Sequence, residues 1–341
     1  MADHEVVELL GDGISAELSA CVHEIADALP VGLRFRQVDL SLEARRARGA
    51  AVYDDAIAAL RELRTALKYP TVTEAESPNK VLRERSDFAV IHRHVATIEG
   101  VENNFKGRID VDIVRIATGG TYEDRGRRIG QESAVSLRVI ERTPCRHAAR
   151  FAFELATRRK SGVVSTSKYT IQRAADGLFE DTVEEMAQGY PDVPYRRELF
   201  DALLAGLILH PDRYAVIVCP NEYGDFLSDM ACGLIGSIGL GDSASYAFDE
   251  EGRITLAMFD PAGGTAPDIA GQGICNPSAA LLALASMLAH LGEERASTAL
   301  RGAIGAAIRD GEKTADIGGT LGTGAFTAAV ARRAGAALAG R

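Results

Sequence analysis

The chain alternates between short apolar runs and longer segments in which apolar residues recur at helical intervals. Residues 214–218 are almost continuously apolar, as expected of a strand buried on both faces. In the segment that follows, the residues at 226, 227, 230, 231 and 234 are apolar with helical spacing. Further strand-like and helix-like segments alternate through residues 5–70. This alternation favours an α/β fold.

Two acidic residues interrupt the helix-like segment after residue 218. Asp225 and Asp229 are four positions apart, so on a helix they lie on one face, one turn apart. Like charges placed this way repel each other unless a cation lies between them. An acidic face exposed to solvent is one interpretation. The pair, however, follows a strand-to-helix turn, where ligands of α/β sheets collect. This position favours a hard divalent cation such as Mg²⁺ or Mn²⁺, which prefers oxygen ligands.

The sequence around these acids carries a specific resemblance. Residues 223–229 read Tyr-Gly-Asp-Phe-Leu-Ser-Asp, which resembles the metal-binding signature of the isocitrate and isopropylmalate dehydrogenase family, the β-decarboxylating hydroxyacid dehydrogenases. Residues 11–14, 266–271 and 316–319 resemble further motifs of that family in the same order. The resemblance therefore runs almost from end to end. It implies an α/β fold of two lobes with a cleft between them and an arm that clasps a second subunit.

The resemblance also implies how the chain divides. Residues 1–88 and 236–341 are expected to form a large, cofactor-binding lobe. Residues 89–235 are expected to form a smaller lobe with the dimer interface, the arm and the metal site. The arm corresponds to the Arg-rich segment 122–144.

Three arginines, Arg83, Arg93 and Arg115, lie at the ends of buried-looking elements. In an acidic protein, such a group fits a pocket for a substrate with more than one carboxylate. In the family resembled, the matching positions hold the malate part of the substrate. Ser77, followed by proline, has the pattern of a helix N-cap. Ser77 and Asn79 match the isocitrate-type pattern, which binds a polar or anionic arm at C3 of malate.

Two catalytic residues follow from the resemblance. Tyr122 matches the proton donor to the enol intermediate. Lys168 matches the lysine that reaches the partner's active site and takes the proton of the substrate hydroxyl. A lysine can act as such a base where neighbouring cations disfavour its charge.

Asp201 is the lone acid in the apolar run 198–204. A buried carboxylate requires a partner, and in the family that partner is the metal of the neighbouring subunit. The implied metal ligands are therefore Asp225, Asp229 and the Asp201 of a second copy. This makes the active site composite and the minimal unit a homodimer.

Residues 259–277 resemble the cofactor loop of the family. Asp268 and Ile269 match its NAD-preferring form, because an acid at the adenosine ribose bonds its hydroxyls and repels a 2′-phosphate. The implied cofactor contacts are Gly263, Gly264, Thr265, Ala266, Asp268, Ile269, Asn276 and Asp316.

Some positions depart from the family pattern. Gly263 stands where the family ordinarily has a histidine that contacts adenine. Thr170 stands in place of an asparagine beside the nicotinamide. Residues 116–121 lack the Glu and Asn of the family's Arg-Glu-Asn-Thr-Glu-Gly-x-Tyr motif. These departures suggest a specialised enzyme.

The overall composition restricts the partners and the location. A net charge of −10 and an isoelectric point near 5.3 argue against nucleic-acid or anionic-membrane partners. Five cysteines without zinc-type spacing are typical of reduced thiols in a cytoplasmic protein. The sequence shows no signal-peptide pattern and no long unbroken apolar run that predicts a membrane span.

These observations give a leading functional hypothesis. It is NAD-dependent, Mg²⁺- or Mn²⁺-dependent oxidative decarboxylation of a 3-substituted malate to a 2-oxo acid and CO₂. Isocitrate, homoisocitrate and a phosphonate analogue remain open as substrates, although two glutamates in the loop 68–76 fit a third carboxylate poorly. The alternatives are a 3-isopropylmalate or a tartrate/malate-type dehydrogenase, and a non-catalytic regulatory subunit of the same family.

Overall fold

The computed structural model describes residues 3–74 and 76–340. Met1 and Ala2, part of the amino terminus in which no signal peptide was expected, lie outside the described residues, as do Ala75 and Arg341. The helices are α1 (Ser15–Ala28), α2 (Leu42–Arg48), α3 (Ala51–Leu63), α4 (Pro78–Arg85), α5 (Arg142–Arg159), α6 (Ala175–Ala187), α7 (Phe200–Leu209), α8 (Asn221–Leu234), α9 (Ser278–His290), α10 (Glu294–Arg309) and α11 (Thr323–Ala339). The strands are β1 (Asp3–Leu10), β2 (Gly32–Asp39), β3 (Thr65–Lys68), β4 (Phe88–Ala96), β5 (Asp110–Ile116), β6 (Arg127–Ile129), β7 (Ser133–Val135), β8 (Val163–Ser167), β9 (Tyr195–Leu199), β10 (Val216–Cys219), β11 (Asp242–Phe248) and β12 (Ile254–Pro261).

One large mixed sheet runs through the molecule. Among the described residues it has 10 strands in the order β2-β1-β3-β12-β11-β4-β5-β10-β8-β9. The strands pair in parallel from β2 to β12 at one end and from β5 to β9 at the other. Between these blocks, β11 pairs antiparallel with β12 and β4, and β4 pairs antiparallel with β5. The predicted α/β fold of two lobes is confirmed. The boundaries near residues 88 and 235 stay a prediction.

The helices cover the two blocks separately. Helices α1, α9, α10 and α11 pack on one another beside β12 and β3, while α5 and α8 pack on β5 and β10. Helix α9 is buried on almost all sides because it lies between the sheet and neighbouring helices. Residues 278–309 form α9 and α10, with a turn between them at Gly292.

The predicted arm is a two-stranded ribbon. Strands β6 and β7 pair antiparallel, and every residue in both strands is exposed. A two-stranded ribbon is marginally stable by itself in water. In the single chain, no residue of these two strands is buried.

All five cysteines are buried and unpaired, which agrees with the expectation of buried thiols. Burial raises the pKa of Cys21 to about 11 and that of Cys219 to about 12, so both thiols stay protonated at neutral pH. The described part of the chain contains no helix that is both long and apolar enough to cross a membrane.

Candidate active site

Three neighbouring strands bring distant parts of the sequence to one edge of the sheet. Strands β5, β10 and β8 are adjacent and parallel, so their carboxyl ends meet there. Arg115 lies near the end of β5, Lys168 directly follows β8, and α8 follows β10. In α/β sheets, the carboxyl ends of the strands are where ligands bind.

Asp225 and Asp229 both lie on α8, as the sequence predicts, and each has an arginine partner. Arg115 donates a hydrogen bond to Asp225, and the hydroxyl of Tyr122 donates to the other oxygen of that carboxylate at 3.0 Å. Arg93 donates to Asp229 at 3.0 Å and to the hydroxyl of Ser228 at 2.6 Å. The repulsion between the two carboxylates is thus relieved within one chain by two of the predicted substrate arginines.

The local sequence explains how Arg115 reaches this position. A Cβ atom at Gly224 would lie 2.6 Å from the Cβ and Cγ of Arg115, so only glycine lets that side chain cross α8. Asn221 accepts a hydrogen bond from the Nε of Arg115 at 2.8 Å. The amide of Asn221 donates in turn to the carbonyls of Ala117 and Gly119, at 3.4 and 3.2 Å. The sequence analysis did not identify Asn221, although it lies two residues before the signature at 223–229, where the helix was expected to begin.

Burial shifts the pKa values of Arg115 and Tyr122. It lowers the pKa of Arg115, against the opposing effect of Asp225. It raises the pKa of Tyr122, and the negative charge of Asp225 raises it further. The Tyr122 side chain is nevertheless 43% exposed. The hydroxyl of Tyr122 is therefore protonated at neutral pH and accessible from solvent.

Helix α4 supplies the third arginine and the two polar residues before it. Ser77 occupies the N-cap position and proline the first turn, as predicted, but the Ser77 side chain makes no capping hydrogen bond. The Nε of Arg83 and the Oδ1 of Asn79 are buried without a hydrogen-bond partner among the described residues. Burial lowers the pKa of Arg83 to about 10. Buried polar atoms without partners are costly, so these two favour a bound polar ligand.

Lys168 and Asp201 bond to each other in the single chain. The hydrogen bond from Lys168 lowers the pKa of Asp201. The expectation that Asp201 is a buried acid among apolar residues was wrong, because its side chain is 67% exposed and only Leu203 and Leu207 of α7 are buried. The described residues of one chain contain no group of three or more His, Cys, Asp or Glu that could hold a metal ion. Asp201 thus does not join Asp225 and Asp229 within one chain.

A buried ionic network behind Lys168 was not anticipated. Asp176 is fully buried and accepts the backbone N–H of Lys168 at 2.8 Å and the hydroxyl of Tyr223 at 3.2 Å. Arg138 donates to Asp176 at 2.7 and 3.0 Å and also pairs with the buried Glu222. The network connects the end of β8, helix α8 and the base of the ribbon. The sequence offered one indication of this network: Asp176 lies in the first turn of a helix that follows Lys168, the candidate catalytic lysine.

Lys68 is a second residue that sequence reasoning missed. It ends the buried strand β3, and its side-chain nitrogen donates to the carbonyl of Tyr69 at 2.8 Å and to the hydroxyl of Thr71 at 3.2 Å. Burial lowers its pKa to about 8, partly offset by Asp260, and Arg83 contributes to the lowering. The sequence offered one indication of this residue, namely a lysine at the end of a short strand-like segment.

The predicted cofactor loop lies between β12 and α9 and packs against the glycine turn after β1. The carbonyl of Thr265 accepts the N–H of Ile14 at 3.0 Å. Gly13 has φ = +60°, and a Cβ there would lie 1.9 Å from that carbonyl, so the turn requires glycine. Two N–H groups further along the loop, of Gly271 and Gly273, donate to Glu17 at 2.8 Å. The motif at residues 11–14 and the cofactor-loop motif at residues 266–271 are therefore neighbours in space.

The side chains of this loop are open to solvent. Asp268 and Asp316 are exposed, and Asn276 donates to Asp316 at 3.0 Å. A Cβ at Gly263 or Gly264 would meet nothing within 4 Å, so both positions border free space. The remaining predicted contacts, at Ala266 and Ile269, lie on the same loop and are partly buried.

Known proteins match the chain over almost its whole length. The family model for isocitrate/isopropylmalate dehydrogenase matches residues 5–331. The 3-isopropylmalate dehydrogenase of Archaeoglobus fulgidus is 34% identical over 329 residues, covering 96% of this chain and 98% of that protein. Subunit 2 of the mitochondrial NAD isocitrate dehydrogenase of Kluyveromyces lactis is 33% identical over 333 residues, covering 95% and 88%. The crystal structure of isocitrate dehydrogenase from Methylococcus capsulatus has a TM-score of 0.87 at 29% identity, covering 97% of this chain and 99% of that chain.

The fold and these matches define an oxidoreductase of the dehydrogenase class that acts on a CH–OH group. The chain belongs to the isocitrate/isopropylmalate dehydrogenase family. Relatives of nearly equal identity are named for isopropylmalate and for isocitrate. The residues of the pocket therefore decide between these substrates.

Proposed function

We propose that this protein catalyses the NAD-dependent and divalent-metal-dependent oxidative decarboxylation of a 3-substituted malate to a 2-oxo acid and CO₂. The observation that carries the proposal is the cluster of two arginines and two aspartates at the carboxyl ends of β5 and β10. It offers cations for the carboxylates of a substrate and anions for a metal ion in one place. The relatives named above, which include an NAD isocitrate dehydrogenase, support it.

The donor set of α8 suits a hard divalent cation. Asp225 and Asp229 provide carboxylate oxygens on successive turns of one helix, and both have arginine side chains as partners. A dicarboxylate substrate would engage Arg93 and Arg115 and release both aspartates. Binding of substrate and of Mg²⁺ or Mn²⁺ is therefore mutually favourable. The Asp201 of a second subunit is the proposed third protein ligand. Bound there, the ion would draw negative charge from the substrate oxygen, and NAD would accept the hydride.

The side chains of the protein handle the substrate and its protons. Arg83, Arg93 and Arg115 hold the carboxylates of the malate part, with bidentate geometry available to each guanidinium. The Nζ of Lys168 takes the proton of the substrate hydroxyl as the hydride leaves. The hydroxyl of Tyr122 gives a proton to the carbon from which CO₂ has departed. Ser77 and Asn79, at the start of α4, are proposed to contact the C3 substituent where it joins the malate part.

The nucleotide is proposed to lie along the loop 263–276. Asp268 is exposed and free to bond the ribose hydroxyls, and its charge disfavours a 2′-phosphate. Gly263, Gly264, Thr265, Ala266 and Ile269 are proposed to line the adenosine, with Asn276 and Asp316 at its far side.

A homodimer is proposed as the active unit. Large apolar side chains are exposed on the ribbon, on the turn after Lys168, and on α7 and α8. They are Ile129 (54%), Val135 (37%), Leu137 (62%), Ile171 (71%), Ile208 (47%), Leu209 (69%) and Phe226 (58%). A second copy of the chain is proposed to cover these side chains, since a group of exposed apolar residues favours a protein interface. It would bring the Lys168 and Asp201 of one chain to the aspartates of the other. The five buried free thiols support a cytoplasmic location.

The decisive experiment is a steady-state assay of the purified protein with NAD and Mn²⁺ on a panel of 3-substituted malates, with and without a chelator. We expect turnover that the chelator abolishes. Absence of turnover on the whole panel, with copurification of a distinct second subunit, would favour the regulatory-subunit alternative.

Two substitutions test the assigned proton transfers. Lys168→Met and Tyr122→Phe are each expected to lower kcat by about 10²–10⁴-fold and to change KM much less, since general acid–base catalysis contributes that much. Tyr53→Phe, on α3, is the matched control and should leave both constants unchanged. Wild-type kcat in either site variant would remove the assignment.

A further inference from the structure

A chamber of about 410 Å³ lies beside the substrate arginines, between α4 and residues 117–125. Arg83, Arg115 and Tyr122 line both this chamber and the candidate active site. The chamber is therefore a continuation of the substrate pocket. Lys80, Thr118, Thr121 and Arg125, which also line it, have no role in the assignments above.

Small residues create this space. Ala117 and Gly119 form part of the wall, at the two positions where the resembled motif carries Asn and Glu. Asn221, which bonds the carbonyls of both residues, keeps the wall in place. The departures from the family motif thus have a consequence for volume next to the substrate.

Two further cations face the chamber, Lys80 from α4 and Arg125 from the base of the ribbon. With Arg83 and Arg115 they make four cationic side chains in the lining. Three acids, Glu84, Glu123 and Asp124, also line it. The chamber therefore carries a net charge of +1 (four cations minus three acids).

The acids already have bonds of their own. Asp124 accepts the N–H groups of Gly126 at 2.9 Å and Leu137 at 2.5 Å, which shape the ribbon. Glu123 accepts the N–H of Gly119 at 3.3 Å. Backbone N–H groups therefore hold both carboxylates in place.

Glu84 pairs with Lys80 at 3.3 Å, one helical turn away. Both side chains are more than two-fifths exposed, at 46% and 41%. Exposed pairs of this spacing contribute very little to stability. Lys80 can therefore exchange Glu84 for an anion in the chamber at small cost.

We propose that this chamber binds the C3 substituent of the malate and that the substituent ends in an anionic oxygen group, a carboxylate or a phosphonate, held by Lys80 and Arg125. The inference rests on the proposed function and deepens it by naming the class of substrate. Thr118 and Thr121 in the lining offer hydroxyl donors to the same group. A branched alkyl substituent would instead bury hydrocarbon against cations and hydroxyls, which is unfavourable.

The first test compares substrates. The kcat/KM values of 3-isopropylmalate, isocitrate and its phosphonate analogue are measured with NAD and Mn²⁺. We expect at least one of the two anionic substituents to exceed the isopropyl group by about 100-fold or more, because two charge-assisted contacts are lost with the alkyl group. The two anionic substrates distinguish a carboxylate from a phosphonate.

The second test uses variants. Lys80→Met and Arg125→Gln are each expected to raise KM for the anionic substrate about tenfold, with a smaller effect on malate, which has no C3 substituent. Glu84→Gln should lower KM for the anionic substrate, because it frees Lys80, an effect that a purely structural role would not produce. Lys106→Met and Arg108→Gln, exposed and outside the chamber, are the matched controls.

The outcomes separate this inference from the proposed function. Faster oxidation of 3-isopropylmalate than of both anionic substrates, or an unchanged KM in Lys80→Met and Arg125→Gln, would overturn the inference and leave the proposed function intact. Failure of every substrate in the panel would overturn both.

Discussion

The substrate end and the cofactor end of the candidate active site are built differently. At the substrate end, charged side chains pair with one another inside the protein: Arg115 is 7% exposed and Arg93 15% exposed, and each binds an aspartate of α8. At the cofactor end, backbone groups hold the loop, through Thr265 and through the N–H groups that Glu17 accepts. The side chains of Asp268 and Asp316 are exposed, and Gly263 and Gly264 border free space.

This difference determines what a substitution does in each region. A change at the substrate end leaves a partly buried charge without its partner, so it affects several residues at once. A change in an exposed side chain of the cofactor loop is local, because the backbone bonds that shape the loop remain.

The largest effect is expected at Asp225. Asp225→Asn removes a proposed metal ligand and the partner of both Arg115 and Tyr122. We expect kcat/KM to fall by about 10²–10³-fold or more, as when a group that stabilises developing charge is lost. Steady-state kinetics at saturating Mn²⁺ measure it, with the exposed Asp192→Asn as control. A loss below tenfold would show that the two ends of the site respond alike.

The network behind Lys168 should respond next. In Asp176→Asn, Arg138 loses one anionic partner and keeps Glu222. We expect a loss of about 2–4 kcal/mol in the free energy of unfolding, because a buried ion pair is broken from one side. Urea unfolding measures it. Asp181→Asn on the same helix, where the acid is 67% exposed, should have little effect. Equal stability of the two variants would contradict the network's role.

Lys68 has charged neighbours at both ends of the site, Arg83 at the substrate end and Asp260 before the cofactor loop. The pH dependence of stability tests its role. Its pKa falls from 10.5 to about 8 in the folded protein. Between those values the unfolded chain binds more protons than the folded one, so stability should rise with pH across that window. The gain is at most about 3 kcal/mol.

The measurement is urea unfolding of the wild type and of Lys68→Met at the two ends of that pH window. The wild type should gain stability relative to the variant as pH rises. Parallel changes in the two proteins would show that Lys68 does not titrate there.

The smallest effect is expected at the cofactor end. A histidine at Gly263 has free space, since a Cβ there meets nothing within 4 Å. Gly263→His should lower KM for NAD about two- to tenfold by adding an aromatic contact with adenine. Gly263→Ala is the control and should behave like the wild type. An unchanged KM in the histidine variant would place the adenine elsewhere.

Much of the fold and part of the candidate site could be predicted from local pattern and ordered motifs. The strand at 214–218, the helix that carries Asp225 and Asp229, and the N-cap position of Ser77 are close to their places in the structure. These features depend on spacing along the chain, which periodicity reports directly.

Other features depend on which segments meet. The pairing of Arg93 with Asp229 joins residues 136 positions apart, and the network of Asp176, Arg138 and Glu222 joins three separate elements. Asp201 was predicted to be buried because its neighbours in the sequence are apolar. In the structure, α7 buries Leu203 and Leu207 and leaves Asp201 exposed.

The sequence by itself determined the α/β alternation, the family resemblance and the chemical types of the candidate site residues. Only the tertiary structure decided that Arg93 and Arg115 pair with Asp229 and Asp225, and that small residues border a cationic chamber beside them. The physical reason is that charge pairing and cavity volume are properties of neighbours in space, and the order of strands in the sheet sets those neighbours.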